Sequence, residues 1–200
     1  MLEQIVIVIA AYFLGSIPTG LLLGKAFGVD IRTTGSGNIG ATNVYRTLGK
    51  KVGILTLAGD CLKGLVPVLA MKLLGFSDGW VALAGAAAFL GHVYTLFLGF
   101  KGGKGVATAL GVFLGLSPLS VLCALGIFLL VAWKWRYVSL ASITAAALVP
   151  IFVIIIEHKS TPAVLAVIIS SIIILKHRGN IERLRAGTEN KFGAEKSAAG

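Results

Sequence analysis

Acidic side chains are scarce in this chain. Eight Asp and Glu stand against 18 Lys and Arg, and charged residues of all kinds make up 13% of the 200 positions. No two carboxylates are spaced as a hydrolase pair, and no His/Cys/Asp/Glu cluster has metal-ligand spacing. No serine, histidine and acid follow one another in an order that the loops would plainly bring together. Metal-assisted hydrolysis and a covalent serine mechanism are therefore not expected, and no metal or cofactor is assigned. Cysteine is nearly absent as well. Cys61 and Cys123 lie in apolar runs without a CxxC partner or a histidine at metal spacing, so they read as small packing residues. The marks of a cleavable signal are missing too: Glu3 replaces the positive leading segment, and the apolar stretch runs on to Leu23.

What the chain has in excess is apolar length. Hydrophobic residues reach 56%, mean hydropathy is +0.93, and there are 26 glycines. This composition predicts an all-α polytopic membrane protein, a single integral membrane domain over 1–200 with no room for a separate soluble unit. A net charge of +10 would fit nucleic acid in a soluble protein. In a membrane chain it reflects Lys and Arg gathered on the cytoplasmic side, and no nucleic-acid partner is expected. The expected spans are Ile5–Leu23, Val52–Leu74, Trp80–Phe100, Val106–Leu116, Leu119–Trp133, Val138–Ile156 and Ala163–Leu175. Gly20 and Gly24 offer the first of these a small-residue face for close helix contact. From Lys176 the tail is basic and polar, and residues 190–200 are expected to be flexible.

Charge decides how often the chain crosses. The Gly24–Lys51 loop carries Lys25, Arg32, Arg46, Lys50 and Lys51 against Asp30 alone. Lys101 with Lys104, Lys134 with Arg136, and the tail are positive again. Lys72 with Asp78, Ser117-Pro118, and Glu157 with Lys159 are neutral. Basic and neutral loops alternate only if the chain turns at Ser117-Pro118. The expectation is seven transmembrane helices, N-terminus out and C-terminus cytoplasmic. Val106–Leu116, roughly 16 Å as a helix, is short for a crossing. In this topology every unusual polar motif falls on the cytoplasmic face.

The first motif is Gly35-Ser-Gly-Asn-Ile-Gly-Ala-Thr-Asn-Val-Tyr-Arg46. Gly35, Gly37 and Gly40 allow a tight bend with N–H groups aimed into one concavity. Ser36, Asn38, Thr42 and Asn43 add hydroxyl and amide donors, and Arg46 adds a planar guanidinium suited to an oxyanion. Thr42 to Leu48 is expected as a short helix stopped by Gly49, its N-terminal amides facing the bend. The stretch reads as a phosphate cradle. It fits G-x-G-x-x-G, but no strand precedes it; it is not a Walker A loop, because Ala41 stands where the lysine belongs.

Lys101-Gly-Gly-Lys-Gly105 is the second anion motif: Gly102, Gly103 and Gly105 let backbone amides approach a ligand, and the following helix adds its positive end. Of its cations, Lys104 is nearer that helix. The third motif is His177-Arg-Gly-Asn180, with His177 and Asn180 as neutral donors. His177 to Glu182 approximates the His-x4-Asp signature of thioester-dependent acyltransferases, with a Gly179 bend between. Ser139 and Ser142 head the sixth span. Asp60 and Lys63 share one helical face within the membrane and must pair or face a polar cavity. His92 is expected to be an interhelical hydrogen-bonding residue, and His158 lies on the outer face.

Together these residues resemble the bacterial acyl-phosphate-dependent glycerol-3-phosphate acyltransferases, the PlsY type. The resemblance covers nearly the whole chain. It is carried by Gly15-Ser-Ile-Pro-Thr-Gly20, Ser36-Gly-Asn-Ile-Gly-Ala-Thr-Asn43 with Arg46, Gly59-Asp-Cys-Leu-Lys-Gly64, Gly91-His92, Lys101-Gly-Gly-Lys-Gly105, and Asn180 leading to Gly187-Thr-Glu189. It implies acyl transfer from a fatty acyl phosphate to the 1-hydroxyl of sn-glycerol 3-phosphate, giving lysophosphatidic acid and phosphate. It also implies a multi-pass protein of the bacterial inner membrane that does not use acyl-CoA. The enzyme that produces acyl phosphate is then a candidate partner, beside membrane lipid.

The residues agree with that implication. Two phosphorylated substrates need two anion subsites, and the chain offers two glycine–cation motifs. Ser36, the cradle amides and Lys104 are assigned to one phosphate, and Arg46, His177 and Asn180 to the other, or the reverse. Gly37, Asn38, Gly40, Thr42, Asn43, Lys101, Gly102, Gly103, Gly105 and Ser142 complete the expected binding set. Either His177 or a substrate phosphate serves as general base. The rival classes are a small membrane transporter for an anionic solute, which would need charges along a path through the midplane, and a non-catalytic scaffold.

Overall fold

The computed structural model describes residues 1–193, and every element in that range is helical. In chain order these are α1 (Leu2–Ser16), α2 (Thr19–Ala26), α3 (Ala41–Leu48), α4 (Lys50–Leu73) and α5 (Asp78–Val93), with a 3-10 turn at Leu96–Leu98. Then come α6 (Val106–Leu116), α7 (Pro118–Trp135), α8 (Val138–Glu157), α9 (Ser160–Lys176) and α10 (Arg178–Arg185). Four stretches are long and apolar enough to cross a bilayer singly: Lys50–Leu73, Asp78–Leu98, Pro118–Trp135 and Val138–Glu157. Two bent pairs, α1 with α2 and α9 with α10, raise the number to six.

The first apolar stretch is therefore not the single helix that its hydropathy predicts. Pro18 has no N–H to donate and disfavours helical backbone at the residue before it. Ile17 accordingly leaves the helix at φ −59°, ψ 115°, and α2 departs from α1 at 41°. The last stretch breaks at His177 by 54°, and Gly179 lies inside α10 rather than at a bend.

Pairs of helices meet backbone to backbone through glycine. α1 lies along α5, and α4 along α6. A Cβ on Gly15 would overlap the Ala88 carbonyl of α5, and one on Gly91 would overlap Tyr12 of α1. Gly64 and Gly111 make the same close approach between α4 and α6. Such contact suits helices in lipid, where packing must replace the hydrophobic drive. Gly20 and Gly24 take a different part. They abut Ile39, Val44 and Ile31, and so seat the α2–α3 loop, which has its own small core of Leu21, Ile31, Ile39, Val44 and Val52.

Outside this interior the surface of the bundle is apolar. Leu122, Leu129 and Trp133 of α7, Ile151 and Ile155 of α8, and Val164 and Ile168 of α9 are all exposed. A belt of that extent has no place against water and fits lipid. α6 is the exception: none of its 11 residues is exposed. It is wrapped by α4, α5, α7 and α9, so its length has to match its protein neighbours rather than the bilayer. Of the tail, residues 194–200 lie outside the described residues, whereas Asn190 and Phe192 are in contact with α3.

Candidate active site

Four segments that are remote in sequence line one cavity of about 710 Å³. The loop before α3 contributes Gly35, Ser36, Asn38 and Gly40, and α3 itself contributes Thr42, Asn43 and Arg46. Lys104 and Gly105 come from the turn into α6; Ser139 and Ser142 come from the head of α8; His177, Asn180 and Arg183 come from the break after α9. Ser36 and Lys104 thus share a single pocket.

The α2–α3 loop holds its shape through one side chain. Asn43 is buried, and its amide donates to the carbonyls of Ile31 (2.9 Å) and Thr34 (3.1 Å). Its Oδ1 accepts from the Ser36 N–H at 2.8 Å. Asn38 likewise accepts from the Gly40 N–H at 2.8 Å. Asn43 is therefore spent on the loop, whereas Asn38 gives the loop only its oxygen, and the amides of Ser36, Gly37 and Gly40 have partners within it. What this loop and α3 present to the cavity is the Ser36 hydroxyl, the Asn38 amide nitrogen, Thr42 and Arg46. α3 ends as expected at Gly49, whose φ of 87° few other residues adopt.

The 101–105 turn departs in a similar way. Gly102 N–H donates to the Val93 carbonyl (3.2 Å) and Gly103 N–H to the His92 carbonyl (3.1 Å). A Cβ on either would overlap α5, so these glycines serve close packing and their amides are not free for an anion. Lys101 is exposed, and Lys101, Gly102, Gly103 and Gly37 do not line the cavity. Gly105 does, at φ 86°, and it opens α6 toward the pocket with that helix's free N-terminal amides. Lys104 donates to Asn180 Oδ1. Burial pulls the Lys104 amine down to about 8; Glu189 opposes the shift, and Arg183 and Arg46 reinforce it.

His177 is buried, with Nδ1 2.8 Å from the Ile173 carbonyl. A carbonyl only accepts, so Nδ1 carries the proton and Nε2 is left basic. Burial pushes the ring down to about 4, and Lys104 adds to the shift against the Ile173 hydrogen bond and Glu189. His177 is neutral at physiological pH. Glu182 does not line the cavity, and among the described residues no hydrogen bond joins it to His177.

The acid that matters at this site is Glu189. Its carboxylate accepts from Ser139 Oγ (2.8 Å), Asn180 Nδ2 (2.8 Å) and Arg183 Nε (2.7 Å). Burial works to raise its pKa, but these three donors together hold it below the usual carboxylate range. Sequence reasoning reached Glu189 only as part of a family motif and missed Arg183 altogether. Arg183 lies in α10 and Glu189 just beyond it, in a tail whose sequence reads as solvated.

Beneath the anion groups the cavity reaches Asp60 and His92. Asp60 Oδ1 lies 2.8 Å from Lys63 Nζ and 3.7 Å from His92 Nδ1, all three being buried. Lys63 also donates to the Ile17 carbonyl at 2.9 Å, where α1 breaks. The pair lies within α4, ties that helix to the α1–α2 break through Lys63, and faces His92 of α5, whose Nδ1 makes no hydrogen bond among the described residues. On one flank the cavity is apolar, lined by Ile54 and Leu57 of α4 and Phe128, Leu129 and Ala132 of α7. Among the described residues no group of three or more His, Cys, Asp and Glu is placed to hold a metal.

This arrangement, cations and a helix N-terminus at one end and an apolar flank at the other, has relatives. Residues 5–187 match the family model described as glycerol-3-phosphate acyltransferase. The chain belongs to that family. The glycerol-3-phosphate acyltransferase of Geotalea daltonii is 68% identical over 96% of this chain and 99% of its own length. That of Geobacter sulfurreducens is 65% identical over 97% and 100%. A crystal structure of PlsY, an integral membrane glycerol 3-phosphate acyltransferase, in its glycerol 3-phosphate form superposes with a TM-score of 0.91 at 46% identity, covering 96% of both chains. Its lysophosphatidic acid form superposes with 0.88. The all-helical membrane architecture described above matches that of the solved PlsY.

Proposed function

We propose that this chain is a glycerol-3-phosphate acyltransferase that takes its acyl group from a fatty acyl phosphate. The products are 1-acyl-glycerol 3-phosphate and inorganic phosphate. The observation that carries this reading is the two-ended cavity. Arg46, Lys104 and Arg183, together with the α6 N-terminus, face its polar end, and α4 and α7 leave an apolar flank beside them. A phosphorylated polar substrate and a fatty chain meet in such a space and in few others.

The acceptor's 1-hydroxyl oxygen attacks the acyl carbonyl carbon, and no covalent enzyme intermediate forms. The carbonyl π pair moves onto oxygen. As the tetrahedral species collapses, the bond from carbonyl carbon to phosphate oxygen breaks and phosphate leaves with the electron pair. Lys104 and the α6 amides meet the leaving phosphate, while Arg46, Asn180, Ser142 and His177 hold the acceptor, and Ser36 lies between. The hydroxyl proton passes to phosphate. A phosphate ester with its second pKa near 6 is a better base than an imidazole held at about 4.

Seven crossings, N-terminus out, follow if α6 counts as one. Its N-terminal turn then lies on the cytoplasmic side with the other three cavity segments, at the inner membrane of a bacterium. Support comes from the balance of basic loops and from the convergence of those segments on one cavity. The enzyme that makes acyl phosphate is the partner this donor requires.

The test is direct. Purified protein in detergent, given acyl phosphate and glycerol 3-phosphate, should release lysophosphatidic acid and phosphate in equal amounts, and none from acyl-CoA. Product from acyl-CoA alone would refute the donor assignment. No product from either would refute the catalytic reading.

A further inference from the structure

Residues 187–193 have no secondary structure of their own, yet they cross the polar mouth of the cavity from one bank to the other. Gly187, at φ 71°, turns the chain back after α10, and Thr188 N–H closes the turn on the Arg183 carbonyl (2.9 Å). Glu189 then docks under α8 through Ser139 and beside α10 through Asn180 and Arg183. The Asn190 carbonyl accepts from Arg46 Nη2 at 3.2 Å, on the α3 bank. Phe192 reaches both banks. Its N–H donates to the Arg136 carbonyl (2.6 Å), its own carbonyl accepts from Arg136 Nε (3.2 Å), and its ring lies 5.4 Å from that of Tyr45. Glu189, Asn190 and Phe192 all line the cavity. The family match ends at residue 187, just before this crossing.

We infer that this strap, clasped by Phe192, sets the size of the acceptor headgroup. The inference rests on the proposed acyl transfer to glycerol 3-phosphate. A phosphomonoester ends at its phosphate, and its three terminal oxygens fit beneath the strap against Arg46 and Asn180. A phosphodiester carries a further group beyond that phosphate, and this group must run through the space held by Asn190 and Phe192. The strap therefore acts by exclusion, which discriminates more sharply than a missing attractive contact between acceptors that share the same reacting hydroxyl. Its position also orients Arg46, because the strap carbonyl occupies one guanidinium N–H and leaves the others for the anion. Among the described residues the far end is held by the Arg136 hydrogen bonds and the Tyr45 ring contact of an exposed Phe192, so loosening Phe192 removes the obstruction without touching the helices.

The probe is sn-glycero-3-phosphoethanolamine, which has the 1-hydroxyl of glycerol 3-phosphate and an ester on its phosphate. With acyl phosphate as donor, kcat/KM is measured for both acceptors in the wild type, Phe192→Ala, Phe192→Pro and Phe192→Leu. Phe192→Ala loses the ring contact with Tyr45; Phe192→Pro loses the N–H to Arg136 as well; Phe192→Leu keeps the N–H and part of the apolar contact. The wild type should prefer the monoester by at least about 100-fold, and the preference should narrow by at least about tenfold in Phe192→Pro, less in Phe192→Ala and least in Phe192→Leu. An unchanged ratio across the three variants would overturn the inference, as would a wild type that acylates the diester as readily as the monoester. Failure of the wild type to acylate glycerol 3-phosphate at all would instead overturn the reading of the site on which the inference stands.

Discussion

Lys104 sits where burial and charge make opposite demands, and this gives the activity a defined alkaline limb. Its amine is pulled down to about 8, first by burial and further by Arg183 and Arg46. The cation is the form that binds phosphate. A lowered pKa therefore brings the loss of binding nearer to neutrality, and the loss sets in as pH rises through 8. Both substrate phosphates are already dianionic there, with second pKa values near 6, so neither accounts for a change above 8. With one essential proton, kcat/KM should fall about tenfold per pH unit above the limb, so that pH 9 retains roughly a tenth of the plateau. The limb of kcat should lie at higher pH than that of kcat/KM, because a bound phosphate dianion favours the charged amine. Initial rates of lysophosphatidic acid release between pH 6.5 and 10, corrected for spontaneous hydrolysis of the donor, read both. Lys104→Arg keeps a charge that does not titrate in this range, and it should lose the limb while showing a lower plateau. Lys104→Ala should cost at least about tenfold on the plateau below pH 8, and the gap to the wild type should close as pH rises through the limb. A wild-type kcat/KM flat to pH 10, or the same limb in Lys104→Arg, would refute this account.

Removing Asp60 leaves Lys63 buried without its counter-charge. Asp60→Ala should cost about 3–5 kcal/mol, read as a lowered Tm in detergent, while Asp60→Leu with Lys63→Met should recover most of it. Gly103→Ala places a methyl against the buried His92 ring and shifts the neighbouring Lys104, so kcat/KM should fall by about 100-fold and Tm should drop as well; His92→Ala in the same chain should restore part of the activity. His177 is neutral above about pH 5, so an acidic limb near pH 6 belongs to substrate phosphate and should persist in His177→Ala; its disappearance there would make His177 the base. Cysteines introduced at Lys25, Lys101 and Leu119, in a chain without Cys61 and Cys123, should label from the cytoplasmic side at the first two positions and from the opposite side at the third. Labelling of Lys25→Cys and Lys101→Cys from opposite sides would exclude a shared pocket.

Much of the fold is legible in composition because lipid imposes a simple rule. Backbone groups must bond within their own segment, so long apolar runs become helices whatever surrounds them. The bounds of α6, Val106–Leu116, come out of the sequence unchanged. The short helix stopped by Gly49 comes out with its end at Leu48 as read and its start one residue earlier, at Ala41. The break at Ile17-Pro18 is harder to read, because hydropathy averages over a proline in an apolar run. Ser36, Arg46, Lys104, His177, Asn180 and Ser142 are legible as polar residues clustered at helix ends on one face, and all six line the cavity.

The division between sequence and structure falls on what each side chain touches. Residue type and spacing alone determine an all-helical membrane chain with glycine–cation motifs between its spans, because burial in lipid and phosphate affinity depend on local chemistry. Only the tertiary structure decides that Asn43, Gly102 and Gly103 serve the scaffold, since their donors are taken by Ile31, Thr34, Val93 and His92. It alone brings Glu189 and Phe192 back over a cavity whose far wall begins at Gly35. Hydrogen bonds are short-ranged and each donor is used once. Which donors remain for a substrate is settled by packing between distant segments, and no local pattern records it.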